Sequence, residues 1–332
     1  MLTNLPIPLI NLVLNGLDTK FFQQWILLNY FEPKRNSLID YCLLNEPKKT
    51  WIIKNIRDWH LLEKVKWKML NKLIIDTNYK FLDLENFWFK LKNLQILKID
   101  SSEIDYIPKE LVNLRRLVCI CPKISEIPST FINLEYLNFY RTAVKEIPAT
   151  LINLKCLDCS SKITFLPSTL INLTDLDCSN TKINYLPSTL IKLKNLNCHS
   201  CDQLCDIPKE YVNLTKLNID FCSTSTTLKI HDTFTKLRIL SCKHVFSFKD
   251  LPENLSDLEY LDISYTLIST LSNKYFKLKQ LDCSHTEMTK IPESYTSLYY
   301  LNWNSNIHPF IIPEHIRNNL ETENNFPMWI RV

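Results

Sequence analysis

The chain has 332 residues, and 39 Lys and Arg against 35 Asp and Glu give it a formal net charge of +4. The whole excess lies in residues 1–90, where 13 basic residues face 9 acidic ones, leaving 26 of each sign in the remainder. The rest of the chain therefore lacks a basic stripe, and we do not expect nucleic acid as a partner.

Residues 1–69 predict a small helical cap. Apolar residues recur at helical spacing in three segments, which are Phe21 to Tyr30, Ser37 to Leu44 and Asp58 to Met69. The opening stretch from Leu2 to Leu17 is apolar, but it contains prolines and asparagines, lacks a basic leader and is short for a membrane-spanning helix. We therefore expect neither secretion nor membrane insertion.

A repeat of about 20 residues occupies residues 70–313 and decides the architecture. Each of twelve units opens with a leucine. A second marker, an Ile/Leu-Pro pair, recurs at the same interval. The opening leucines are Leu70, Leu94, Leu114, Leu134, Leu154, Leu173, Leu193, Leu214, Leu237, Leu258, Leu278 and Leu298. Positions one, four and six of each unit are apolar, which predicts a short half-buried strand. The prolines forbid a long helix after it.

This pattern resembles the leucine-rich repeat family, LxxLxLxxN/T/CxL followed by xxLP, most of all the short Leu-Pro repeats of bacterial effector proteins. The resemblance implies an α/β-type solenoid that is mostly β, with parallel strands on a concave face. It also implies a curved, right-handed path with an extended convex side. Residues 314–332 would form a carboxyl-terminal cap or tail. Local irregularity without a break is expected near Leu237, because Val245 lies at a small-polar position and His231 and Ser272 replace prolines.

Glycine is nearly absent, since Gly16 is the single one in the chain. Asparagine is the next-best residue for left-handed backbone. A column of asparagines directly precedes the opening leucines: Asn93, Asn113, Asn133, Asn153, Asn172 and Asn213. We interpret this column as the replacement for glycine at the entry to each strand.

Many of the twelve cysteines fall at position six, the inward strand site, where a reduced cysteine acts as a small hydrophobic side chain. This placement favours a reducing, cytoplasmic location. Cys198, His199 and Cys201 have metal-ligand spacing, but the repeat points His199 outward and the two cysteines inward. We therefore expect that they do not converge on one ion, and we expect no metal and no cofactor.

Polar residues form a stripe at position five, with serines two residues further on. The stripe comprises Asn138, Asp158, Asp177, Asn197, Asn218, Asp262, Asp282 and Asn302. It is either a docking track for a basic partner or ordinary solvated surface. Paired carboxylates here lack a histidine partner, and the sequence contains no nucleophile–base arrangement or phosphate loop. We therefore expect that the protein is not an enzyme.

Aromatic residues at and near position eight are the strongest candidates for partner binding. Position eight is Phe221, His244, Tyr265 and His285 in four consecutive units, and Tyr260, Tyr299 and Tyr300 lie near position three. A smaller set is Tyr136, Tyr140 and Arg141. Exposed aromatic residues concentrate at interfaces, but they could equally shield the residue beneath from water.

The main functional hypothesis is a non-catalytic scaffold, expected to be a monomer, that binds a protein partner on its concave strand face. The alternative concerns the amino end, where Leu5-Pro6, Leu9, Val13, Leu17 and Trp25 resemble an F-box, the segment that docks substrate receptors onto a ubiquitin-ligase adaptor. Pro8 lies where that family usually has an acidic residue, so a plain solenoid cap remains open. The F-box resemblance would imply a ubiquitin-ligase substrate receptor.

Overall fold

The computed structural model describes residues 50–54, 70–76, 88–159, 162–222, 228–304 and 309–320. The chain divides into two compact units, residues 1–143 and residues 144–332. The helices predicted in residues 21–30, 37–44 and 58–69, and the F-box-like segment, lie outside the described residues. In the described part of the chain, no helix is long and apolar enough to cross a membrane.

The first unit contains five parallel strands that pair in chain order. They are β1 (Thr50–Ile53), β2 (Lys72–Asp76), β3 (Ile96–Asp100), β4 (Arg116–Ile120) and β5 (Tyr136–Asn138). A short 3-10 turn at Phe89–Leu91 precedes β3. The first strand of the described residues therefore starts at Thr50, within the segment for which the sequence predicted a helical cap. Trp51 and Ile53 alternate inward there and are fully buried.

The second unit contains eight parallel strands, again paired in chain order. They are β6 (Cys156–Asp158), β7 (Asp175–Asp177), β8 (Asn195–Asn197), β9 (Lys216–Asn218), β10 (Ile239–Ser241), β11 (Tyr260–Asp262), β12 (Gln280–Asp282) and β13 (Tyr300–Asn302). A single helical turn, α1 (Glu314–Arg317), covers the end with the buried side chain of Ile316. The position-four leucines face one another across the strands, as Leu261 faces Leu281.

The core of each unit is a stack of repeat layers. Positions one, four and six are buried in the described repeats up to the one that opens at Leu278, because the period of two in each strand turns the same positions inward. In the last repeat, Leu301 at position four is half-buried and Trp303 at position six is 36% exposed. The parallel solenoid that is mostly β, with extended chain opposite the strands, is confirmed. It follows that the residues between these positions, three, five and seven, are carried on the opposite face of each sheet.

Tight turns, not helices, connect the strands. The carbonyls of most repeat prolines accept a hydrogen bond from the backbone N–H three residues further on, as the Pro167 carbonyl does from Leu170 at 3.3 Å. The carbonyls of His231 and Ser272 accept the same bond, so the missing prolines leave the turn in place. β10 pairs with both neighbours, which confirms that the solenoid continues through the unit at Leu237.

The interpretation of the asparagine column is wrong. No residue of the column has a positive φ angle in the described part of the chain. The side chains instead donate hydrogen bonds to the preceding repeat, from Asn133 Nδ2 to the Val112 carbonyl at 3.0 Å and from Asn172 Nδ2 to the Ile152 carbonyl at 2.9 Å. The column therefore satisfies turn carbonyls that would otherwise lack a protein donor.

Candidate functional site: an aromatic column beside a row of carboxylates

Left-handed backbone occurs at position eight of seven repeats, three residues after the end of the strand. Seven non-glycine residues of the described chain have φ angles between 56° and 61°. They are Arg141, Asn180, Ser200, Phe221, His244, Tyr265 and His285, and every one lies at position eight. In these seven repeats the turn therefore imposes a conformation that costs an ordinary residue about 1–2 kcal/mol, whereas Ser101 and Cys121 at position eight of earlier repeats do not adopt it.

A backbone ladder holds these residues in line within the second unit. Each position-eight N–H donates to the position-seven carbonyl of the next repeat, as Phe221 does to Lys243 at 2.8 Å and His244 to Ser264 at 3.0 Å. Tyr265 continues the ladder to Ser284 at 3.1 Å. Successive side chains therefore project from the turns at the spacing of neighbouring strands, about 4.8 Å.

The rings of Phe221, His244, Tyr265 and His285 stack face to face, and we call them the aromatic column. Their centroids are separated by 4.5, 4.0 and 4.1 Å in chain order, with planes within 20° of parallel. His199 extends the column with an edge-on contact to Phe221 at 5.3 Å, which the sequence did not predict because His199 lies at position seven. Burial and Lys243 lower the pKa of His244, which favours its neutral ring.

Beside the column lies the carboxylate row, defined as Asp177, Asp220, Asp262 and Asp282. For two of these four carboxylates, the asparagine side chain of the next repeat donates a hydrogen bond to Oδ2. Asn197 Nδ2 bonds Asp177 Oδ2 at 2.9 Å, and Asn302 Nδ2 bonds Asp282 Oδ2 at 2.9 Å. At these two positions the row is linked to the next repeat.

Asp220 belongs to the row from position seven and is one that sequence reasoning missed. Its Oδ1 accepts bonds from the Ser241 hydroxyl at 2.5 Å and from the Lys243 backbone N–H at 2.8 Å. Burial raises its pKa, whereas these bonds and the nearby charges of His199 and Lys243 lower it. The neighbouring donors and charges thus offset part of the effect of burial on the Asp220 carboxylate.

Asp262, unlike the other three, accepts hydrogen bonds only from within its own repeat. It is 7% exposed, and both of its side-chain hydrogen bonds, from the Ser264 N–H at 2.9 Å and the Ser264 hydroxyl at 2.6 Å, end on Oδ1. Asp262 Oδ2 has no hydrogen-bond partner in the part of the chain that the structure describes. Burial, and then the adjacent Asp282 carboxylate, raise the pKa of Asp262 to about 7.

The three predicted tyrosines border the row on the side opposite to the column. Tyr260 and Tyr300 lie at position three of β11 and β13, on either side of Gln280. The Gln280 side chain donates to the Tyr299 hydroxyl at 2.7 Å. Burial raises the pKa of Tyr300, and the charges of Asp282 and Asp262 raise it further. Along the strand direction, the carboxylates therefore lie between the tyrosines and the aromatic column.

The smaller predicted set belongs to the first unit. The Arg116 guanidinium lies 3.7 Å from the centroid of the Tyr136 ring, a cation–π contact. Arg141 lies 5.4 Å from the Tyr140 ring and occupies the left-handed position. Tyr140 is 40% exposed. Here the arginines already contact the faces of the tyrosine rings, so this set offers a partner less free aromatic surface.

Buried thiols form a cluster beneath the strands. The Cys178, Cys198 and Cys201 sulfurs lie within 4.8 Å of one another, and those of Cys178 and Cys198 are 3.4 Å apart. Cys198 and Cys201 both point inward, as predicted, and Cys178 joins them because position nine turns back beneath position six of the preceding repeat. His199 lies apart from them, as expected. Cys201 donates to the Cys178 carbonyl at 2.9 Å. Hydrogen bonding to Cys198 and Cys201, and then burial, raise the pKa of Cys178, whereas hydrogen bonding to Cys178 and Cys198 lowers the pKa of Cys201.

Comparison with solved structures assigns the fold. The functional domain of InlJ from Listeria monocytogenes, which includes a cysteine ladder, matches with a TM-score of 0.56 at 23% identity. The leucine-rich repeat ectodomain of the receptor kinase GASSHO1/SCHENGEN3 from Arabidopsis thaliana matches with a TM-score of 0.55 at 23% identity. The fold is that of leucine-rich repeat proteins.

The matches extend over much of the chain. The InlJ match covers 69% of this chain and 52% of that one, and the GASSHO1/SCHENGEN3 match covers 76% and 38%. An internalin, inlF, from Listeria monocytogenes matches with a TM-score of 0.50 at 16% identity, over 84% of this chain and 88% of that one. No protein-family model and no curated protein matches the sequence. This chain thus spans about half of the InlJ domain and less of the plant ectodomain.

Proposed function

We propose that the chain is a non-catalytic interaction scaffold that binds a polypeptide partner on the strand face of its second unit. The aromatic column is the anchor of this surface, and the carboxylate row orients the partner. Aromatic side chains suit the role because they bury a large area while few rotatable bonds become fixed.

The observation that carries the proposal is the placement of large rings on left-handed backbone. Position eight is Asn180 in one repeat and Ser200 in the next, and asparagine adopts this conformation most readily after glycine. Phe221 and Tyr265 occupy it with no such advantage. Strained residues persist where the side chain has a task, so the rings are retained for what they contact.

The solved structures of this fold are compatible with the proposal. The GASSHO1/SCHENGEN3 ectodomain was solved in complex with CASPARIAN STRIP INTEGRITY FACTOR 2. That complex shows only that one protein of this fold binds another molecule. The residues proposed for the present chain rest on its own geometry.

The test removes the rings without adding strain. The triple variant His244→Asn, Tyr265→Asn and His285→Asn keeps residues that tolerate left-handed backbone, so it is expected to fold. Proteins captured from the native cell by the wild-type chain should be lost from this variant. The measurement is quantitative mass spectrometry of both captures.

A matched control changes three exposed aromatics outside the column. The control variant carries Phe165→Asn, Tyr185→Asn and Phe276→Asn, at residues that are 49%, 65% and 49% exposed. It should keep every partner that the wild-type chain captures. Equal capture by the triple column variant would refute the proposed function.

A further inference from the structure

Three cysteine thiols converge inside the second unit, and we call them the thiol triad: Cys178, Cys198 and Cys201. Their sulfur atoms all lie within 4.8 Å of one another, and those of Cys178 and Cys198 are 3.4 Å apart. Each residue of the triad is at most 1% exposed. In the described part of the chain, no other three Cys, His, Asp or Glu side chains come together in this way. The triad is therefore a feature of this place in the solenoid and not of every repeat.

The repeat brings the triad together because two of its inward positions carry cysteine in consecutive units. Cys178 and Cys198 occupy position six of neighbouring repeats, one strand spacing of about 4.8 Å apart, and Cys201 occupies position nine. The Cys201 thiol reaches back beneath the earlier repeat and donates to the Cys178 carbonyl at 2.9 Å. For Cys242, by contrast, the residue at position nine of the next repeat is Thr266. Cys178 was missing from the ligand set weighed on the sequence, because it lies one repeat earlier than the other two.

The donor atoms of the triad are sulfur alone, which selects a soft metal ion. Neither a carboxylate nor a ring nitrogen belongs to the group. Thiolates favour soft ions such as Cu(I) and Zn²⁺, whereas Mg²⁺ and Ca²⁺ require oxygen ligands. Two sulfurs that bind one ion at about 2.3 Å lie at most about 4.6 Å apart. The three sulfurs therefore reach one ion with only small shifts of their side chains.

The number of ligands distinguishes between the two soft ions. Structural zinc sites are four-coordinate and close the tetrahedron with a fourth protein ligand. The Thr181 hydroxyl is 3.5 Å from the Cys201 sulfur, but it donates to the Cys178 carbonyl at 2.6 Å and is not a usual zinc ligand. Cu(I) is a soft ion that is stable with three sulfur ligands. The triad therefore suits Cu(I) better than Zn²⁺.

We propose that Cys178, Cys198 and Cys201 bind one Cu(I) ion inside the second unit. The three residues are buried, so the site offers the ion no open coordination position. A closed site suits storage of the ion or stabilisation of the fold, and not catalysis by the ion. The triad lies beneath the strands, opposite the proposed partner-binding face, so the inference does not depend on the proposed function.

Protons compete with the ion for the triad. Hydrogen bonding to Cys178 and Cys198 lowers the pKa of Cys201, so the first thiolate forms there. Each further thiol that binds the ion loses its proton to solvent. The positive charge of the ion offsets part of the cost of these buried thiolates. The affinity for Cu(I) should therefore rise with pH.

The experiment titrates Cu(I) alone into the full chain without oxygen, in competition with a chromogenic Cu(I) chelator. The reference protein carries Cys156→Ser and Cys205→Ser, because these thiols are partly exposed and would bind copper on their own, and Cys42→Ser, at a residue outside the described ranges. It should take up one Cu(I), and X-ray absorption should show three sulfur ligands. Zn²⁺ should bind more weakly, because the triad supplies three of the four ligands that it requires.

Cys201→Thr removes one ligand with little risk to the fold. Position nine is threonine in other repeats, where the hydroxyls of Thr181 and Thr266 donate to the carbonyl three residues earlier. The exchange should weaken Cu(I) binding by about 100-fold or more, because even a residue that only orients a metal ligand contributes about 10–100-fold. Thermal unfolding without copper checks that the variant is folded.

The matched control is Cys222→Thr, the same exchange at position nine of the next repeat. Cys222 is also buried, but it lies outside the triad and donates to the Cys198 carbonyl at 3.0 Å. Its exchange should leave the Cu(I) affinity within about twofold of the reference. A reference protein that takes up no Cu(I), or that binds it no more tightly than Cys201→Thr does, would overturn the inference. An equal loss from Cys222→Thr would overturn it as well, because the ligands would then not be the triad.

Discussion

The rings of His244 and Tyr265 lie 4.0 Å apart with their planes 13° from parallel, although both residues occupy left-handed backbone at a φ angle of 59°. Stacking thus coexists with local strain in the same residues. A stacked aromatic pair contributes about 0.5–1.5 kcal/mol, which is comparable to the strain of one left-handed residue. The column is therefore close to neutral for stability, and its presence needs another explanation.

Substitutions at Tyr265 should separate these two contributions. Tyr265→Asn loses the stacking but relieves the backbone, so we expect its free energy of unfolding to change by less than about 1 kcal/mol. Tyr265→Val loses the stacking and places a β-branched residue where it is least tolerated, with an expected loss of more than about 2 kcal/mol. Urea unfolding measures both.

Tyr260→Val is the matched control, because Tyr260 lies in β11, where extended backbone suits valine. It should cost less than Tyr265→Val. If the two valine variants were equally destabilised, the left-handed geometry would not be the cause.

Two asparagines in consecutive repeats should respond to substitution in opposite ways. Asn180 has a φ angle of 57°, so Asn180→Gly should be tolerated and Asn180→Ala should cost about 1 kcal/mol. Asn172 acts through its side-chain bond to Ile152, so Asn172→Gly and Asn172→Ala should both destabilise, by about 1 kcal/mol or more. Chemical denaturation of the four variants checks this, and rescue of position 172 by glycine would contradict it.

This contrast also shows how far the sequence could predict the structure. The spacing of leucines and prolines predicted which positions turn inward, since strand alternation depends on nothing else. The same spacing gives no information on φ angles. We therefore assigned left-handed backbone to the asparagine column, whereas the residues at position eight adopt it. The sequence did not predict the strand at Thr50–Ile53, because four residues are too few to show the repeat period.

The candidate site was predictable in the same partial way. The stacking of Phe221, His244, Tyr265 and His285 follows from one aromatic residue per repeat at one position. The distinct state of Asp262 does not, because it depends on which donors the neighbouring repeats offer: Ser241 turns to Asp220, whereas Asn302 turns to Asp282. Such choices are fixed only when the side chains are packed.

The free energy of unfolding should depend on pH through Asp262. Its pKa is about 7 in the folded chain and about 3.9 when unfolded, so the native state binds more protons between these values. The stabilisation from this proton is complete below about pH 4 and is lost as the pH rises through about 7. Asp262→Asn should therefore be more stable than wild type by about 2–4 kcal/mol at about pH 8, with the difference shrinking in acid.

The reverse exchange at the same repeat position is the control. Asn218 is buried on β9, and Asn218→Asp should destabilise the protein at about pH 8 and do so less in acid. Thermal unfolding at several pH values measures both variants. An Asp262→Asn variant that is less stable than wild type at every pH would contradict the prediction.

The buried cysteines should react slowly with thiol reagents. Cys159, Cys178, Cys242 and Cys283 are at most 2% exposed, and burial raises the pKa of the Cys242 and Cys283 thiols, so little thiolate forms. Among the cysteines of the described residues, Cys156 and Cys205 are partly exposed and should react first. Mass spectrometry after brief alkylation identifies the modified sites, and unfolding in urea should remove the difference. Rapid modification of Cys178 in the folded protein would show that the repeat register is wrong.

The backbone ladder at position eight gives the binding surface a unit of length. Because each ring is attached to one repeat and aligned by the next, duplication of a whole repeat would add one ring at the same spacing, and deletion would remove one. A shorter insertion would break the alignment instead of extending it. Changes in the reach of this surface during descent would then come in whole repeats, so related chains of different length could recognise longer or shorter partners without redesigning a single contact.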